Sequence, residues 1–378
     1  MNARARIVAS ALAAGLLVAG FGGGLVSGAR AGSSARTTAA AAPSLVAPAA
    51  AASELAAMWR VREKALSDDD VAALKRVDTG AALDRDVGLT LYVKGLGTSS
   101  LRVQRHLGRS VVVVPYQTRY PISFLAFVET SSEFQPKTQA AATVGYETDT
   151  LVFAKSAASE PWRVALATRQ LGGFGFTPPR QLVYAPPAPS SSWISPTGAL
   201  RALAQFDQES VEESSAPSVP MDGGPWTTGA YSAFSSEGPN GITDNGGVHR
   251  VHTYYVSPNT DGVYHFDAMG ADLVCGAVRA NGTLTPSRPG GYLFQNPTRT
   301  NWGGWLAPGR YGVIRTSELN QVCLSIPATR DNGIDVVSGE YDLDEWAATG
   351  AHSTTTTGQL ASIRATGGQH RSAHSPLA

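Results

Sequence analysis

The sequence is poor in charge and contains few lysines and cysteines. Only 16% of its 378 residues are charged, and it has five lysines and two cysteines. About a quarter of the residues are charged in a typical soluble protein. Thirty basic residues balance thirty acidic ones, and no basic stripe is evident. The sequence therefore offers no electrostatic basis for binding nucleic acid.

The sequence also lacks the common catalytic and cofactor motifs. It contains no GxSxG, HExxH or GxGxxG pattern. The glycine-rich segment GGFGF at 172–176 has no Lys, Ser or Thr in phosphate-loop order, so we interpret it as a turn. We therefore expect no cofactor, no metal and no catalytic residue that a motif could identify.

The N-terminus has the three parts of a secretory signal peptide. Arg4 and Arg6 give a positive start, and residues 7–21 are apolar. Small residues then occupy the positions that a signal peptidase recognises. The predicted cleavage-site residues are Ala29, Ala31 and Gly32. Cleavage would remove 1–31 and leave 27 basic against 30 acidic residues in a secreted or cell-envelope protein.

An uncleaved membrane anchor is the alternative for this segment. Residues 7–26 are twenty in number, which is about the length that spans a bilayer. In that case the chain would contact the membrane only through its N-terminus. No later run approaches eighteen uninterrupted apolar residues, so we expect the rest of the chain to be soluble. Residues 32–52 are rich in Ala, Ser, Thr and Pro and predict a disordered spacer.

Two helix-then-strand regions follow the spacer, on either side of a proline-rich segment. Residues 53–77 show helical spacing of apolar residues, and alternation then predicts strands up to about residue 168. Residues 176–196 contain six prolines and predict a linker. Helical spacing returns near residue 198, followed by strands and by Asn-Gly and Asp-Gly turn signals. The predicted segments are a first domain at 53–175, a β-rich domain at 197–346 and a disordered tail at 347–378.

Several segments resemble an uncharacterised family of exported actinobacterial proteins. They include the helix with Trp59 and Arg62, the tract at 74–86, the strand at 111–121 and the segment at 306–328. Helices followed by a curved antiparallel sheet are similar to the NTF2/SnoaL-like cone. The resemblance implies an α+β protein of two tandem domains, each a helix followed by such a sheet. The first would be an NTF2-like cone, and the second would be cone-like or a β-sandwich.

Cys275 and Cys323 are the only cysteines, and each lies in a predicted strand. In an exported protein an even pair predicts a disulfide. A metal pair and a catalytic thiol are the alternatives. Neither is favoured, because the sequence has no CxxC spacing and no histidine closer than ten residues to either cysteine.

Histidines and tryptophans offer two further candidate sites. His249, His252 and His265 could suggest zinc, but residues three apart on a strand face opposite ways. Surface or half-buried histidines are therefore the favoured interpretation. Trp302 and Trp305, in the loop NWGGWLAPG, are a possible ligand-binding pair because exposed rings can stack on sugars. Burial of both rings against the end of the core is the favoured interpretation, because large aromatic side chains are mostly buried.

The resemblance to NTF2-like proteins suggests where an enzyme would place a general base. Such enzymes place an Asp or His inside the cone, and Asp84, Asp86 and His106 are the positions available. A cone interior filled by side chains such as Trp59 and Phe124 would rule this out. We therefore predict an exported, non-enzymatic protein that binds an unknown protein, glycan or envelope partner. The alternatives are a small-molecule enzyme with a cone pocket and a carbohydrate-binding module.

Overall fold

Each half of the described chain begins with helix and continues mainly as strands. The computed structural model describes residues 43–95, 104–134, 143–170, 193–211, 220–224, 227, 242–244, 248–268, 271–295 and 309–349. The helices are α1 (Pro48–Ser67), α2 (Val71–Val77), α3 (Gly80–Gly95), α4 (Pro196–Val211) and α5 (Pro258–Asp261). The strands of the first half are β1 (Gln104–Val113), β2 (Ile122–Phe134), β3 (Thr143–Lys155) and β4 (Arg163–Gln170). Those of the second half are β5 (Ile242–Asp244), β6 (Val248–Tyr255), β7 (Val263–Ala268), β8 (Ala271–Pro286), β9 (Leu293–Gln295), β10 (Gly309–Tyr311), β11 (Val313–Ile326) and β12 (Asp335–Thr349).

The predicted pair of tandem cones is wrong, because one antiparallel sheet contains strands from both halves. Nine strands form it, in the order β1-β2-β3-β4-β12-β11-β8-β6, and β7 pairs with β8 beside β6. Strands β10, β9 and β5 form a separate three-stranded sheet. Strand content in the described residues exceeds helix content, 45% against 30%. The protein is thus mainly a large antiparallel sheet with few helices.

The large sheet buries both of its faces, and three apolar clusters show how. The first cluster packs α1 and α3 on one face of β1–β4, where Phe124 stacks on Phe153 with ring centroids 4.5 Å apart. The third packs α4 on one face of β8, β11 and β12. The second cluster joins residues of both halves, among them Phe127 and Phe266. We call it the shared layer, because there the two halves of the sheet pack face to face. Its buried members are Ala81, Val113, Leu125, Phe127, Val152, Leu166, Phe266, Leu273, Cys275, Ala277, Leu319 and Cys323.

The face that would line a cone pocket is filled. Trp59, Val112, Val114 and Phe124 are all at most 4% exposed and belong to the cluster under α1. Neighbouring residues on a strand point to opposite faces, so the alternate residues of β1 and β2 enter the shared layer instead. The cone-pocket enzyme therefore loses its structural basis.

Side chains join the two halves of the sheet where β4 meets β12. Among the described residues, the backbone pairing there is the single registered pair of Arg169 with Gly339. The backbone N–H of Ala167 donates to Gln321 Oε1 at 2.9 Å, and Thr168 and Ser338 share a hydroxyl hydrogen bond of 2.8 Å. These groups are buried, so each bond also satisfies a polar group that water cannot reach.

Several predicted boundaries differ from the structure. Helix α1 begins at Pro48, inside the predicted spacer, because Ala51 packs in the cluster under α1 and alanine favours helix. Strand β12 continues to Thr349, past the predicted start of the tail. The turn signal at Asn281 and Gly282 lies inside β8. The predicted signal peptide with its cleavage residues, most of the spacer and the linker, and residues 350–378 of the tail lie outside the described residues.

The predicted disulfide between Cys275 and Cys323 is confirmed. The two residues are directly opposite each other on β8 and β11, and both are buried in the shared layer. Their separation in sequence is 48 residues. The bond therefore links the two strands on which the second half of the shared layer is built.

Replacing both cysteines with alanine should lower the free energy of unfolding by about 4 kcal/mol, because a closed loop of this length restricts the unfolded chain. Both are changed together, since a single change would leave a reactive thiol. Urea unfolding of the oxidised wild type and the double variant measures the difference. Equal free energies of unfolding would contradict the expectation.

Candidate functional site

A cavity of about 500 Å³ opens at one end of the shared layer. Its walls come from both halves of the chain: the start of β2, the end of β3, the β3–β4 turn and the start of β4 on one side, and β7 on the other. Ser123 and Ala154 are paired across β2 and β3 and both line the cavity. They alternate with residues of the cluster under α1, so the cavity continues the shared layer where large apolar side chains stop.

The cavity carries charge at the β3–β4 turn. Lys155, the last residue of β3, is half-buried and forms no ion pair with a described residue. Arg163 and Glu160 lie 4.0 Å apart, with 38% and 48% of their side chains exposed. An ion pair that is so exposed contributes little stability. Glu160 is the only carboxylate among the lining residues, and Lys155 and Arg163 are the basic ones.

Tyr264 and His265 form the opposite wall. Burial raises the pKa of Tyr264 to about 12, and the nearby carboxylate of Asp261 adds to the rise. The phenol is therefore protonated at neutral pH and can donate a hydrogen bond. Gly262 precedes it with φ of +77°, and a Cβ there would lie 2.5 Å from the Tyr264 hydroxyl oxygen. Any other residue at position 262 would displace the Tyr264 ring, so glycine is required there. His265 Nε2 contacts Asp272 on β8.

A buried arginine ties this wall to the first half of the chain. Arg279 on β8 binds Asp261 through two nitrogens, at 2.9 and 2.5 Å, and Asp84 on α3 at 2.5 Å. Burial alone would lower the pKa of Arg279, but the hydrogen bond and charge of Asp261, with those of Asp84, raise it above its ordinary value. Because Asp84 and Arg279 belong to different halves, their ion pair holds the cavity walls in a fixed relation.

The candidate general bases do not converge. Asp84 binds Arg279, and His106 lies exposed on β1. Asp86 is fully buried and contacts Arg62, which also binds Asp78 at 3.2 Å. The carboxylates of Asp86 and Asp78 offset the effect of burial and raise the pKa of Arg62 above its ordinary value. This group is a buried ion cluster that joins α1 to α3, and it leaves no room for a substrate.

A second polar group lies between the C-terminal end of α4 and the sheet. His252 Nε2 lies 3.1 Å from Glu318 Oε1, and Thr316 donates to the same oxygen at 3.2 Å. His252 reaches Glu318 across β8 because residue 282 is glycine, where a Cβ would lie 2.6 Å from Nε2. Asp207 on α4 is 5% exposed. Burial raises its pKa well above the ordinary value, against a hydrogen bond from Asn320, and Glu318 adds to the rise.

The predicted histidine and tryptophan candidates can now be placed. His249 is exposed, His252 is partly buried beside Glu318, and His265 contacts Asp272. Within the described ranges, no three His, Cys, Asp or Glu side chains are grouped so that they could hold a metal ion. Trp302 and Trp305 lie outside the described residues, so their possible role in binding a ligand remains a prediction.

Except for His265, which was considered as a metal ligand, the residues that line the cavity were missed in the sequence. Lys155 follows a predicted strand and is one of only five lysines, which is a weak signal. The sequence offers no signal for the roles of Tyr264 and Arg279, because these roles depend on which strands lie against each other in the fold. None of the helices in the described ranges is both long and apolar enough to cross a membrane.

No protein-family model matches the chain, and no curated protein matches its sequence. The resemblance to exported actinobacterial proteins therefore remains a prediction.

The raised pKa of Asp207 predicts that stability falls as pH rises. A carboxyl whose pKa is higher in the folded than in the unfolded state takes up a proton on folding, so its stabilisation is complete at low pH and is lost as pH rises through the folded pKa. Asparagine does not titrate, so Asp207→Asn removes the loss of stability that this carboxyl causes at higher pH. The stability of the variant relative to wild type should therefore increase with pH, by up to about 1.4 kcal/mol per pH unit.

Urea unfolding at about pH 5 and about pH 8 measures this difference. Both proteins keep His252 and Glu318, so the comparison isolates residue 207. The exposed Asp331→Asn is the matched control, and its difference from wild type should not change with pH. A difference for Asp207→Asn that is equally flat would show that burial does not perturb this carboxyl.

Proposed function

We propose that the protein is exported and acts as a non-enzymatic binding protein for an envelope component or a secreted partner. The observation that carries the proposal is the cavity between the two halves. It combines an apolar lining with a few polar and charged groups, and its volume of about 500 Å³ lies in the range of small-molecule sites, about 300–1,000 Å³. The ligand or an exposed group of the partner would enter there.

The disulfide supports the extracellular part of the proposal. Disulfides persist in oxidising compartments and are rare in the cytosol. Cys275 and Cys323 are paired and buried, and there are no free cysteines among the described residues. An N-terminal segment with the pattern of a signal peptide is consistent with the same compartment.

Export predicts that the full chain, produced in its source organism, is found in the envelope or the medium with Cys275 and Cys323 oxidised. Cell fractionation followed by mass spectrometry of unreduced protein measures both. The mass of the N-terminal peptide also shows whether the chain begins at Gly32. A reduced protein that remains in the cytoplasm would contradict the proposal.

Filling the cavity should reduce binding to the envelope. Ser156→Trp places an indole at the β3–β4 turn, where Ser156 is exposed and lines the cavity. Isolated envelopes of the source organism are incubated with the purified full chain, and sedimentation measures the bound fraction. We expect a loss of at least about tenfold in affinity, since a ring in the cavity excludes the ligand.

Ser159→Trp is the matched control, because Ser159 lies in the same turn but does not line the cavity. All three proteins share the same N-terminal segment, so only the cavity differs between them. Ala154→Trp, within β3, is a second filling variant, and thermal unfolding establishes that each variant is folded. If folded Ser156→Trp binds as the wild type does, the cavity is not the binding site.

A further inference from the structure

We infer that the cavity binds an extended segment of a partner polypeptide, which pairs with the free edge of β7 as an added strand. This rests on the proposed function, because it names the class of partner for the same cavity.

The cavity wall on the side of β7 is formed partly by backbone. Val263 and His265 both line the cavity. The side chain of Val263 packs against the third apolar cluster, under α4, and His265 is opposite Val274, which belongs to that cluster. Side chains of residues opposite each other lie on the same face of a sheet, so both side chains point towards α4. These two residues therefore present backbone groups to the cavity.

The hydrogen bonds of Gln208 on α4 show the direction of the backbone groups in this part of the sheet. Its side chain accepts a hydrogen bond from the N–H of Tyr254 at 3.0 Å and donates one to the C=O of His252 at 2.8 Å. The even-numbered residues of β6 therefore direct these groups away from β8. The even-numbered residues of β8 that are opposite them direct theirs to β11. The register of β8 with β11 has no shift, so the same alternation holds along β8.

The outer edge of β7 is unpaired among the described residues. Val263 and His265 are opposite Gly276 and Val274, which are even-numbered residues of β8. The N–H and C=O groups of Val263 and His265 therefore point away from β8. No described strand or side chain forms a hydrogen bond with them. Such groups recur every two residues, about 6.6–6.8 Å apart, and a second strand has the same repeat.

The edges of β1, β2 and β6 are protected, unlike that of β7. Gln208 caps β6, and Gln117 caps the start of β2 by accepting from the N–H of Ser123 at 2.8 Å and donating to its C=O at 2.7 Å. Strand β1 has a register shift between Leu107 and Ser110. Proteins commonly block exposed strand edges, because such edges pair with other chains. The open edge of β7 beside a cavity is therefore suited to pairing with a strand of a partner.

The rest of the lining suits a strand with small side chains. Ser123 and Ala154 are small, and the hydroxyl of Tyr264 can donate a hydrogen bond. Arg163 and Glu160 have opposite charges and lie 4.0 Å apart, so they favour no net charge in the ligand. An added strand would direct every second side chain towards the small residues. Affinity would then come mainly from hydrogen bonds of the backbone.

A matched pair of peptides tests the backbone contact. The first is a blocked hexapeptide of alternating valine and serine, and the second is the same peptide N-methylated at its two central residues. Methylation removes one donor from each edge of the peptide and leaves its side chains unchanged. Calorimetric titration of the full chain should show the first peptide binding at least about tenfold more tightly than the second. Equal binding of the two peptides, or no binding of the first at millimolar concentration, would overturn the inference.

A matched pair of variants tests the edge of β7 itself. His265→Pro removes an N–H that points away from β8, and proline is tolerated at such positions of an edge strand. His265→Ala keeps this N–H. Both variants lose the contact with Asp272, so the comparison between them isolates the backbone. His265→Pro should bind the first peptide at least about tenfold more weakly than His265→Ala does.

Thermal unfolding establishes that each variant is folded. Val263→Pro, at the first residue of β7, is the second proline variant and should weaken binding in the same way. If a folded proline variant binds the first peptide as tightly as His265→Ala does, the edge of β7 is not the binding site.

The two proposals fail in different ways. If Ser156→Trp abolishes envelope binding but the two peptides bind equally, the cavity is a binding site for another class of ligand. If Ser156→Trp leaves envelope binding intact while His265→Pro weakens peptide binding relative to His265→Ala, the strand site stands and the envelope role falls.

Discussion

The shared layer is the constraint on which the rest of the structure depends. Residues of both halves fill it, and each large apolar side chain that it removes from water contributes about 1.5–3 kcal/mol relative to exposure. Val113, Leu125 and Phe127 from one half meet Phe266 and Leu273 from the other. Each half alone would present an apolar sheet face to solvent, so neither half is complete without the other. The large apolar side chains of the shared layer stop short of the end of the strands, and the space left there is the cavity.

Polar groups give this apolar association its register. Apolar surfaces can slide, whereas the bond from Ala167 to Gln321 and the ion pair of Asp84 with Arg279 form in one alignment only. The Asp84 side chain is 39% exposed, so this ion pair is partly solvated and adds little net stability. The contribution of these groups is therefore mainly to specificity. They hold the cavity wall that contains Ala154 opposite the wall that contains Tyr264.

Local structure could be predicted from the sequence far better than the assembly of the halves. The order of helices and strands and the disulfide follow from apolar spacing and from cysteine number. The pairing of β4 with β12 does not follow from the sequence. Backbone N–H and C=O groups are nearly the same in every strand, so they do not specify which strand will pair with which. The run of valines at 111–114 was the available signal. Four consecutive apolar residues point to two faces, and this predicts a second packed layer that a cone of one sheet and its helices does not supply. Lys155 and Asp207 became candidates only once their neighbours were known.

The position of β12 has a consequence for the time at which the protein becomes complete. The strand that joins the second half to β4 is β12, which ends at Thr349, while β1–β4 end at Gln170. A chain made from its N-terminus therefore carries the apolar face of β1–β4 uncovered while more than a hundred further residues are added. Such faces associate with other chains when they are left open. Folding of this protein therefore competes with aggregation of β1–β4 until β8, β11 and β12 cover their apolar face.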